Sequence, residues 1–448
     1  MPGNESTGIT YVLYHDIKQQ EGARMMKSPT RWFRFLLAAA FAPFVVTHAA
    51  ADQYGDARAE LVAAYQAQDY DAMVVAARES LDARPGYPGA LFNLALAEVL
   101  SGDSAASLQT LNTLLTRGID FGADEMDEFA ALRDMPGWDA YQQGIEALYK
   151  PVGEAQVVLQ LDVDRFVPEG IAFDSRGNAY LGSIHRGQLI KVMAGEPQII
   201  SDRAGHWSVF GMRFHDDGSL WFASAAIAQM AAAGDDAGKT GLFRIDPETG
   251  DVTHSAILPH NADAQLLGDL VIKGDAILTT DSLSGAVYEY DVATGKFTTI
   301  VDPGEMGSPQ GLVLDASGQF LYVADYIGGL YRLSLAGGSK VKLAVPDSTT
   351  DYGIDGLYRY DNELIAIQNG IRPHRVVAYR LSEDGLRIEA SRTLASNLPE
   401  FDEPTLGVVR GDDFYFVANS HWNRFDTENR LPDGLSGPII LKVRVTSH

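Results

Sequence analysis

The chain has 448 residues, of which 46% are hydrophobic and 21% charged, a composition typical of a globular protein with two or three domains. The 60 acidic side chains outnumber the 35 basic ones, and the net charge of −25 would repel nucleic-acid phosphates and anionic lipid headgroups. The chain contains no cysteine, which excludes disulfide bonds, thiolate metal sites and cysteine nucleophiles. We therefore expect no nucleic-acid partner and no stable membrane insertion.

The N-terminal segment has the pattern of a secretory signal peptide. Basic residues precede an apolar run, residues 35–46, and the small residues 49–51 suit a peptidase that cuts after A-x-A. The run is too short to cross the ~30 Å hydrocarbon core of a bilayer, although an uncleaved interfacial anchor is an alternative. Residues 1–51 are predicted to be a leader whose true start is Met25 or Met26, and the mature protein is expected to be periplasmic or secreted.

Residues 52–150 have the Ala- and Leu-rich periodicity of helices. Two helical hairpins are predicted, and their turns contain Asp69 and Asp103, which are 34 positions apart. This period resembles the tetratricopeptide repeat, in which each helix pair needs a neighbour to bury its apolar face, with residues 129–148 as the capping tail. A generic helical bundle is the alternative. Either arrangement predicts a docking surface for a protein partner rather than a site for chemistry.

Residues 151–448 contain one strand pattern six times. Each copy has a Gly-apolar strand, a turn with Asp and Gly, and an aromatic-apolar strand, and a third and a fourth strand follow. The copies begin at Gly170, Gly211, Asp269, Gly311, Gly356 and Thr405. Four-stranded units spaced at 41 to 58 residues are typical of propeller blades, whereas two packed sandwiches would not need six near-equal units. We therefore predict a mainly β protein, a six-bladed β-propeller preceded by an all-α helical-repeat domain.

The sixth copy reaches only its third strand before the sequence ends. Residues 156–162, just before the first copy, have strand character and no blade of their own. Because an unpaired edge strand invites aggregation, we expect this segment to complete the sixth blade and close the ring.

The residue ahead of each repeat start is predicted to lie at the mouth of the central channel. These residues are Glu169, Phe210, Gly268, Gln310, Asp355 and, in the sixth copy, Glu403 or Pro404. Oxygen donors that meet from separate blades suit a hard divalent cation such as Ca²⁺ or Mg²⁺. A solvated rim with scattered polar residues is the alternative.

Further candidates for contact with a small-molecule substrate flank the same mouth. They are His185, His206 and His421, together with Phe210 and Glu403. Each histidine could also be an ordinary hydrogen-bonding residue of a loop. The segment 369–375 is interpreted as a structural hairpin. The sequence has no nucleophile elbow, phosphate loop or H-E-x-x-H motif.

Three of the blade starts resemble those of the senescence marker protein, gluconolactonase and regucalcin family. They are Pro168-Glu169-Gly170-Ile171, Gln310-Gly311-Leu312 and Ile354-Asp355-Gly356-Leu357, and the resemblance covers residues 154–448. In that family a Glu, an Asn and an Asp hold one divalent metal that activates lactone or ester hydrolysis. The resemblance implies a metal site at Glu169, Gln310 and Asp355, with Asp355 as the proton acceptor. Ca²⁺ is the expected metal, with Mg²⁺ or Zn²⁺ as alternatives.

Two positions depart from the family pattern. Gln310 stands where an Asn is expected, and Gly268 replaces a second Asn that assists substrate or metal. A metal-dependent hydrolase and a non-catalytic module that combines helical repeats with a binding propeller therefore both remain open. A quinone-dependent dehydrogenase has less support, because the sequence lacks the Trp-rich blade signature of those larger propellers.

Overall fold

The computed structural model describes residues 53–202, 205–231, 233–259, 264–337 and 339–446. The predicted leader, residues 1–51, and its start at Met25 or Met26 lie outside these ranges. The chain divides between Ile145 and Glu146 into two compact units, and each is described by itself. No helix in the described ranges is long and apolar enough to cross a membrane.

The first unit is helical. Its α-helices are α1 (Gln53–Gln66), α2 (Tyr70–Ala83), α3 (Pro88–Leu100), α4 (Ser104–Thr116) and α5 (Trp138–Leu148), with 3₁₀ turns at Ala123–Glu125 and Asp127–Leu132. Helix α5 extends a few residues into the second unit. The two predicted hairpins are confirmed as the pairs α1–α2 and α3–α4.

The spacing of the two aspartates has a local physical cause. Asp69 is the N-cap of α2 and accepts a hydrogen bond from the Ala72 amide at 3.1 Å, while Asp103 caps α4 through the Ala106 amide at 3.0 Å. Each cap satisfies an amide that the first helical turn leaves without a partner, which is worth about 1 kcal/mol. The caps explain the period, but membership of the tetratricopeptide class and a docked partner stay predictions.

The second unit is a six-bladed β-propeller, as predicted, with four antiparallel strands in each blade. Blade 1 contains β2 (Pro168–Phe173), β3 (Ala179–Ser183), β4 (Gln188–Met193) and β5 (Glu196–Asp202); blade 2 contains β6 (Ser208–Phe214), β7 (Leu220–Ala225), β8 (Thr240–Ile245) and β9 (Val252–Ile257). Blade 3 contains β10 (Leu267–Lys273), β11 (Ala276–Asp281), β12 (Ala286–Asp291) and β13 (Lys296–Val301); blade 4 contains β14 (Pro309–Leu314), β15 (Phe320–Asp325), β16 (Gly329–Ser334) and β17 (Lys340–Lys342). Blade 5 contains β18 (Ile354–Tyr360), β19 (Glu363–Gln368), β20 (Arg375–Leu381) and β21 (Ile388–Ser396); blade 6 contains β22 (Gly407–Arg410), β23 (Asp413–Val417), β24 (Ile439–Arg444) and β1 (Gln156–Gln160).

The sixth blade closes the ring in the predicted way. Strand β1 pairs antiparallel with β24, with Val157 opposite Leu441 and Gln160 opposite Ile439. The blade is therefore built from both ends of the propeller sequence, and the pairing covers an edge of β24 that would otherwise expose unpaired backbone groups.

The first strands of the blades surround the central channel. Each packs against the first strand of the next blade, and β22 returns to β2. The repeated glycines allow this approach, because an added Cβ would lie 2.1 Å from the Phe210 carbonyl oxygen at Gly170 and 2.3 Å from the Leu357 nitrogen at Gly311. Farther out, apolar side chains of adjacent blades pack together, as Leu189 of blade 1 does with Phe222 of blade 2.

Candidate active site

In blades 1 to 5 the residues predicted at the channel mouth lie at one structural feature, a β-bulge in the first strand of the blade, whereas Glu403 and Pro404 of blade 6 precede the first strand. In blade 1, Pro168 pairs with Ser183 and Ile171 with Leu181, so three steps on β2 match two on β3. The same shift occurs in β6, β10, β14 and β18. The unpaired residues are 169–170, 210–211, 268–269, 310–311 and 355–356. Because a bulge redirects side chains out of the regular alternation, it explains how these strands supply polar residues to the channel.

Glu169 of blade 1 is buried and accepts a hydrogen bond at Oε2 from the Trp422 indole nitrogen, at 2.7 Å. Burial and the charges of Asp355 and Glu403 raise the pKa of Glu169 well above its ordinary value, although the indole bond opposes this shift. Ionisation of Glu169 is therefore unfavourable unless a positive charge lies beside it.

Asp355 of blade 5 is held by Asn369, whose Nδ2 donates to Asp355 Oδ2 at 2.7 Å and to the Pro404 carbonyl at 3.0 Å. The Tyr326 hydroxyl of blade 4 in turn donates to Asn369 Oδ1 at 3.0 Å. Burial, with a contribution from the charge of Asp269, raises the pKa of Asp355 to about 7. A group with that pKa can accept or donate a proton near neutral pH.

Glu403 contributes a third carboxyl group from blade 6. Its Oε2 accepts the backbone N–H of Asn423 at 2.7 Å, and its backbone has φ of 64°, in the left-handed region. Burial and the neighbouring charges of Asp355 and Asp402 raise its pKa to about 7. A non-glycine residue in this conformation is strained, and such strain is typical of functional positions.

The three carboxyl groups lack a compensating cation in the described part of the chain. No Lys or Arg there forms an ion pair with Glu169, Asp355 or Glu403. Within the same ranges, no three His, Cys, Asp or Glu side chains are arranged to ligate one metal ion. The mouth therefore concentrates negative charge without forming a complete cage of charged ligands.

A neighbouring ion pair involves Asp269, which takes the place of the repeat glycine in blade 3. Its Oδ2 lies 3.4 Å from Arg213 Nη2, and the Arg213 guanidinium lies 5.4 Å from the centre of the Tyr358 ring. Arg213 therefore pairs with Asp269 and not with Glu169, Asp355 or Glu403. The remaining influence of Asp269 on Asp355 is to raise its pKa.

In the described part of the chain, no hydrogen bond joins the Gln310 side chain to the three carboxyl groups. Its Nε2 donates to Ser308 Oγ at 3.1 Å, and its Oε1 lies 3.7 Å from where a Cβ on Gly268 would be. The two departures from the family pattern are thus neighbours, and the longer amide occupies space beside the missing side chain. Its role as a metal ligand stays a prediction.

Three of the remaining sequence candidates contact or belong to the connection between β23 and β24. Phe210 faces Trp422, with ring centroids 6.4 Å apart, and His185 lies against Phe425 at 5.9 Å. His421 is buried and contacts Asp402 and the Ser436 carbonyl, both at 3.1 Å. These three side chains surround the residues that cover Glu169.

His206 lies elsewhere, so the structure does not group it with the other candidates. Its Nε2 contacts Ser201 Oγ on the outer strand β5 at 2.8 Å, and its ring packs edge-on against Phe222. Burial lowers its pKa, which favours the neutral ring. Its position in the chain suggested the mouth, but its packing is that of a structural residue between blades 1 and 2.

Sequence reasoning missed Trp422, Asn369 and Tyr326. Asn369 was interpreted as part of a structural hairpin, whereas its side chain contacts Asp355. A signal for two of them exists in the repeat: Tyr326 and Asn369 both follow the last residue of their blade's second strand. Trp422 has no such signal, because it belongs to the long connection between β23 and β24, which does not follow the repeat pattern.

Asp402 should stabilise the protein only while it is ionised. Hydrogen bonds from His421, and then from Arg424, lower its pKa to about 2. Since the unfolded group ionises near pH 4, its contribution is complete above pH 4 and is lost as the pH falls toward 2. We expect Asp402→Asn to lower the free energy of unfolding at pH 7 by about 1 kcal/mol, after allowance for partial exposure. Urea unfolding at pH 7 and pH 3 checks this, and an equal difference at both pH values would contradict it.

Comparison with known proteins identifies no family for the chain. No protein-family model matches the chain, and no curated protein matches it. A PQQ-bound aldose sugar dehydrogenase of Streptomyces coelicolor is 14% identical, over 66% of this chain and 99% of that chain, with a TM-score of 0.46. The calcium-binding regucalcin of Agrobacterium tumefaciens is 17% identical, over 65% of this chain and 95% of that chain, with a TM-score of 0.47. A catalytically inactive virginiamycin B lyase of Staphylococcus aureus is 14% identical, over 65% of this chain and 99% of that chain, with a TM-score of 0.42. Similarity at these levels concerns the propeller fold alone and carries no argument about substrate, metal or cofactor.

Proposed function

We propose that the protein is a periplasmic or secreted hydrolase of a lactone or related ester, and that the channel mouth of the propeller is its active site. The observation that supports this proposal is the set of three interacting carboxyl groups, Glu169, Asp355 and Glu403, carried by separate blades at the mouth. Raised pKa values with a defined physical cause are typical of catalytic groups. The neighbouring aromatic rings of Phe210 and Trp422 provide an apolar surface for a small-molecule substrate.

The donor atoms suit a hard divalent cation better than Zn²⁺. Mg²⁺ commonly binds through one or two carboxylates and several waters, and Ca²⁺ takes carboxylate, amide and water oxygens. Glu169 and Asp355 would hold such an ion, helped by neutral oxygens such as that of Gln310. Zn²⁺ prefers three or four His, Cys or carboxylate ligands, a set absent from the described residues. When bound, the cation would polarise a carbonyl oxygen and lower the pKa of a bound water.

The side chains of the protein would then divide the remaining work. Above pH 7, Asp355 is ionised and can accept a proton at Oδ1, while Asn369 holds Oδ2 and fixes the orientation of the carboxylate. Glu169 supplies negative charge, and Phe210 with Trp422 limits the access of water from one side. The Tyr326 hydroxyl keeps Asn369 in the orientation that donates to Asp355.

A binding module without catalysis is the second candidate. Two observations favour it: Gln310 is directed to Ser308, and Trp422 occupies an oxygen of Glu169. In that case the propeller mouth would bind a small molecule and the helical unit would dock a protein partner.

Metal analysis combined with a lactone panel separates the two candidates. The full-length mature chain, Glu169→Gln and Asp355→Asn would be equilibrated with Ca²⁺ or Mg²⁺, freed of excess ion and assayed for bound metal and for hydrolysis. Glu363→Gln is the matched control, since Glu363 lies at the opposite end of blade 5 and pairs with Arg392.

We expect one divalent ion per wild-type chain and a loss of activity of about 10²-fold or more in both site variants, with no change in Glu363→Gln. Wild type that retains no stoichiometric metal would overturn the metal-dependent mechanism. Wild type that retains metal but cleaves no lactone or ester would favour the binding module.

A further inference from the structure

One segment of blade 6 extends across neighbouring blades. Residues 422–435, here called the lid segment, connect the end of the second strand region with β24. Their two ends are fastened together, because Asn419 Nδ2 donates to Ser436 Oγ at 3.1 Å and to the Gly437 carbonyl at 2.9 Å. A surface loop with adjacent ends that packs on itself is a common functional element.

The lid segment contacts blades 1 and 2 through side chains. Trp422 donates to Glu169, Phe425 lies against His185, and Asn429 Oδ1 accepts a hydrogen bond from Gln229 Nε2 at 2.9 Å. Asp433 forms an ion pair with Arg165, ahead of blade 1. The segment therefore spans the mouth from blade 6 to blade 2 and covers Glu169.

At its start the lid segment is also tied to blade 6 itself, because the Asn423 N–H donates to Glu403 Oε2 at 2.7 Å and Arg424 pairs with Asp402 at 2.8 Å. Beyond Arg424 it has few fixed contacts. Its regular structure is one 3₁₀ turn, Trp422–Arg424, and its backbone hydrogen bonds, such as Asn429 to Asp426, run within the segment. Most of its side chains are exposed. Segments with few buried contacts and local hydrogen bonds open at low free-energy cost, and ligand-binding lids come from this class.

We propose that residues 422–435 are a lid over the propeller mouth, and that the hydrogen bond from Trp422 to Glu169 holds this lid closed. In the closed state the indole occupies Glu169 Oε2, so a ligand that uses this oxygen can bind only after Trp422 has moved. The bond from Trp422 ends on a buried side chain of another blade, whereas the contacts of the lid with Gln229 and Arg165 involve more exposed side chains. A buried acceptor that loses its donor is costly, so this bond favours the closed position. Trp422 is thereby also the residue that determines what can reach Glu169.

Limited trypsin digestion measures the opening of the lid directly. Arg424 and Arg430 are cleavage sites within the segment, and their side chains are 51% and 67% exposed. Trp422→Phe keeps an aromatic ring and removes the donor. Trp207→Phe is the matched control, since the Trp207 indole donates to Asp236 at 3.1 Å and the residue has no hydrogen bond or ring contact with the lid segment.

We expect Trp422→Phe to raise the rate of cleavage at Arg424 and Arg430 by about 10-fold or more, because cleavage follows the population of the open form and a buried acceptor left without its donor disfavours the closed form by about that factor. Glu169→Gln, which keeps an acceptor for the indole, should give a smaller increase, and Trp207→Phe should leave these rates unchanged. Hydrogen exchange of residues 422–435 should rise in the same order, while the urea midpoint of the propeller stays the same.

Unchanged cleavage and exchange in Trp422→Phe, with the global midpoint preserved, would overturn the proposal. An equal increase in Trp207→Phe would also overturn it, because the effect would then be a general loosening. The experiment uses neither metal nor substrate. The lid can therefore be confirmed even if the protein has no hydrolase activity, and it can be contradicted even if hydrolase activity is found.

Discussion

Replacement of Asp355 by Asn is expected to make the protein more stable above pH 7 while removing its proton acceptor. Asn is close in shape to Asp, and its carbonyl oxygen can still accept the hydrogen bond from Asn369. The Asn side chain is neutral, so the variant does not have to bury a negative charge. Burial is the main reason why the pKa of Asp355 is raised to about 7. A buried functional group that lowers the stability of the folded state is a common example of the trade-off between activity and stability.

The sign of the pH dependence follows from the two pKa values. The unfolded Asp355 releases its proton near pH 4, and the folded group keeps it until about pH 7. Between these values the folded state binds more protons, so the free energy of unfolding falls as the pH rises and stays low above pH 7. Asp355→Asn should exceed wild type by about 4 kcal/mol at pH 8 and match it near pH 4. Urea unfolding at both pH values tests this, and a variant that is less stable than wild type at pH 8 would contradict it.

Replacement of Gly170 by Ala should strongly destabilise the propeller and displace Glu169. The new Cβ would lie 2.1 Å from the Phe210 carbonyl oxygen, and the atom it meets belongs to the backbone of the next blade. Neither strand can move without disturbing the ring of first strands. We expect a loss of about 3 kcal/mol, measured by urea or thermal unfolding.

The control for this prediction is another glycine at the same kind of bulge. A Cβ on Gly268 would have only ordinary contacts, 3.7 Å to Gln310 Oε1 and 3.8 Å to Leu266 Cδ2. Gly268→Ala should therefore change stability by less than about 1 kcal/mol, because the lost freedom of the unfolded chain offsets any crowding. Equal effects of the two substitutions would show that the close approach of first strands is not what requires glycine.

The architecture was predictable because the signal repeats. Six copies of one pattern, four of them with a glycine where first strands meet, specify the number of blades, and the leftover segment around Gln156 specifies how the ring closes. The aspartates of the helical unit were recognisable for a related reason: an N-cap is a local feature that depends on residue type and position.

The site was predictable only in part. Glu169, Gln310 and Asp355 were identified because the bulge recurs at a fixed place in the repeat. His206 was a candidate because it lies just upstream of Phe210, but it packs between blades, since position along the chain does not determine which way a loop side chain turns. Trp422 could not be inferred, because its contact with Glu169 joins residues 253 positions apart through a connection that the repeat pattern does not describe.

The proposed site requires carboxyl groups that remain protonated near neutral pH. Difference infrared spectroscopy between pH 6 and pH 8 observes the C=O stretch of a protonated carboxyl apart from the bands of carboxylates. We predict a loss of this band in the wild type over that range, a smaller loss in Asp355→Asn and Glu403→Gln, and an unchanged loss in Glu363→Gln. A wild-type spectrum in which every carboxyl group has ionised below pH 5 would contradict the site described above.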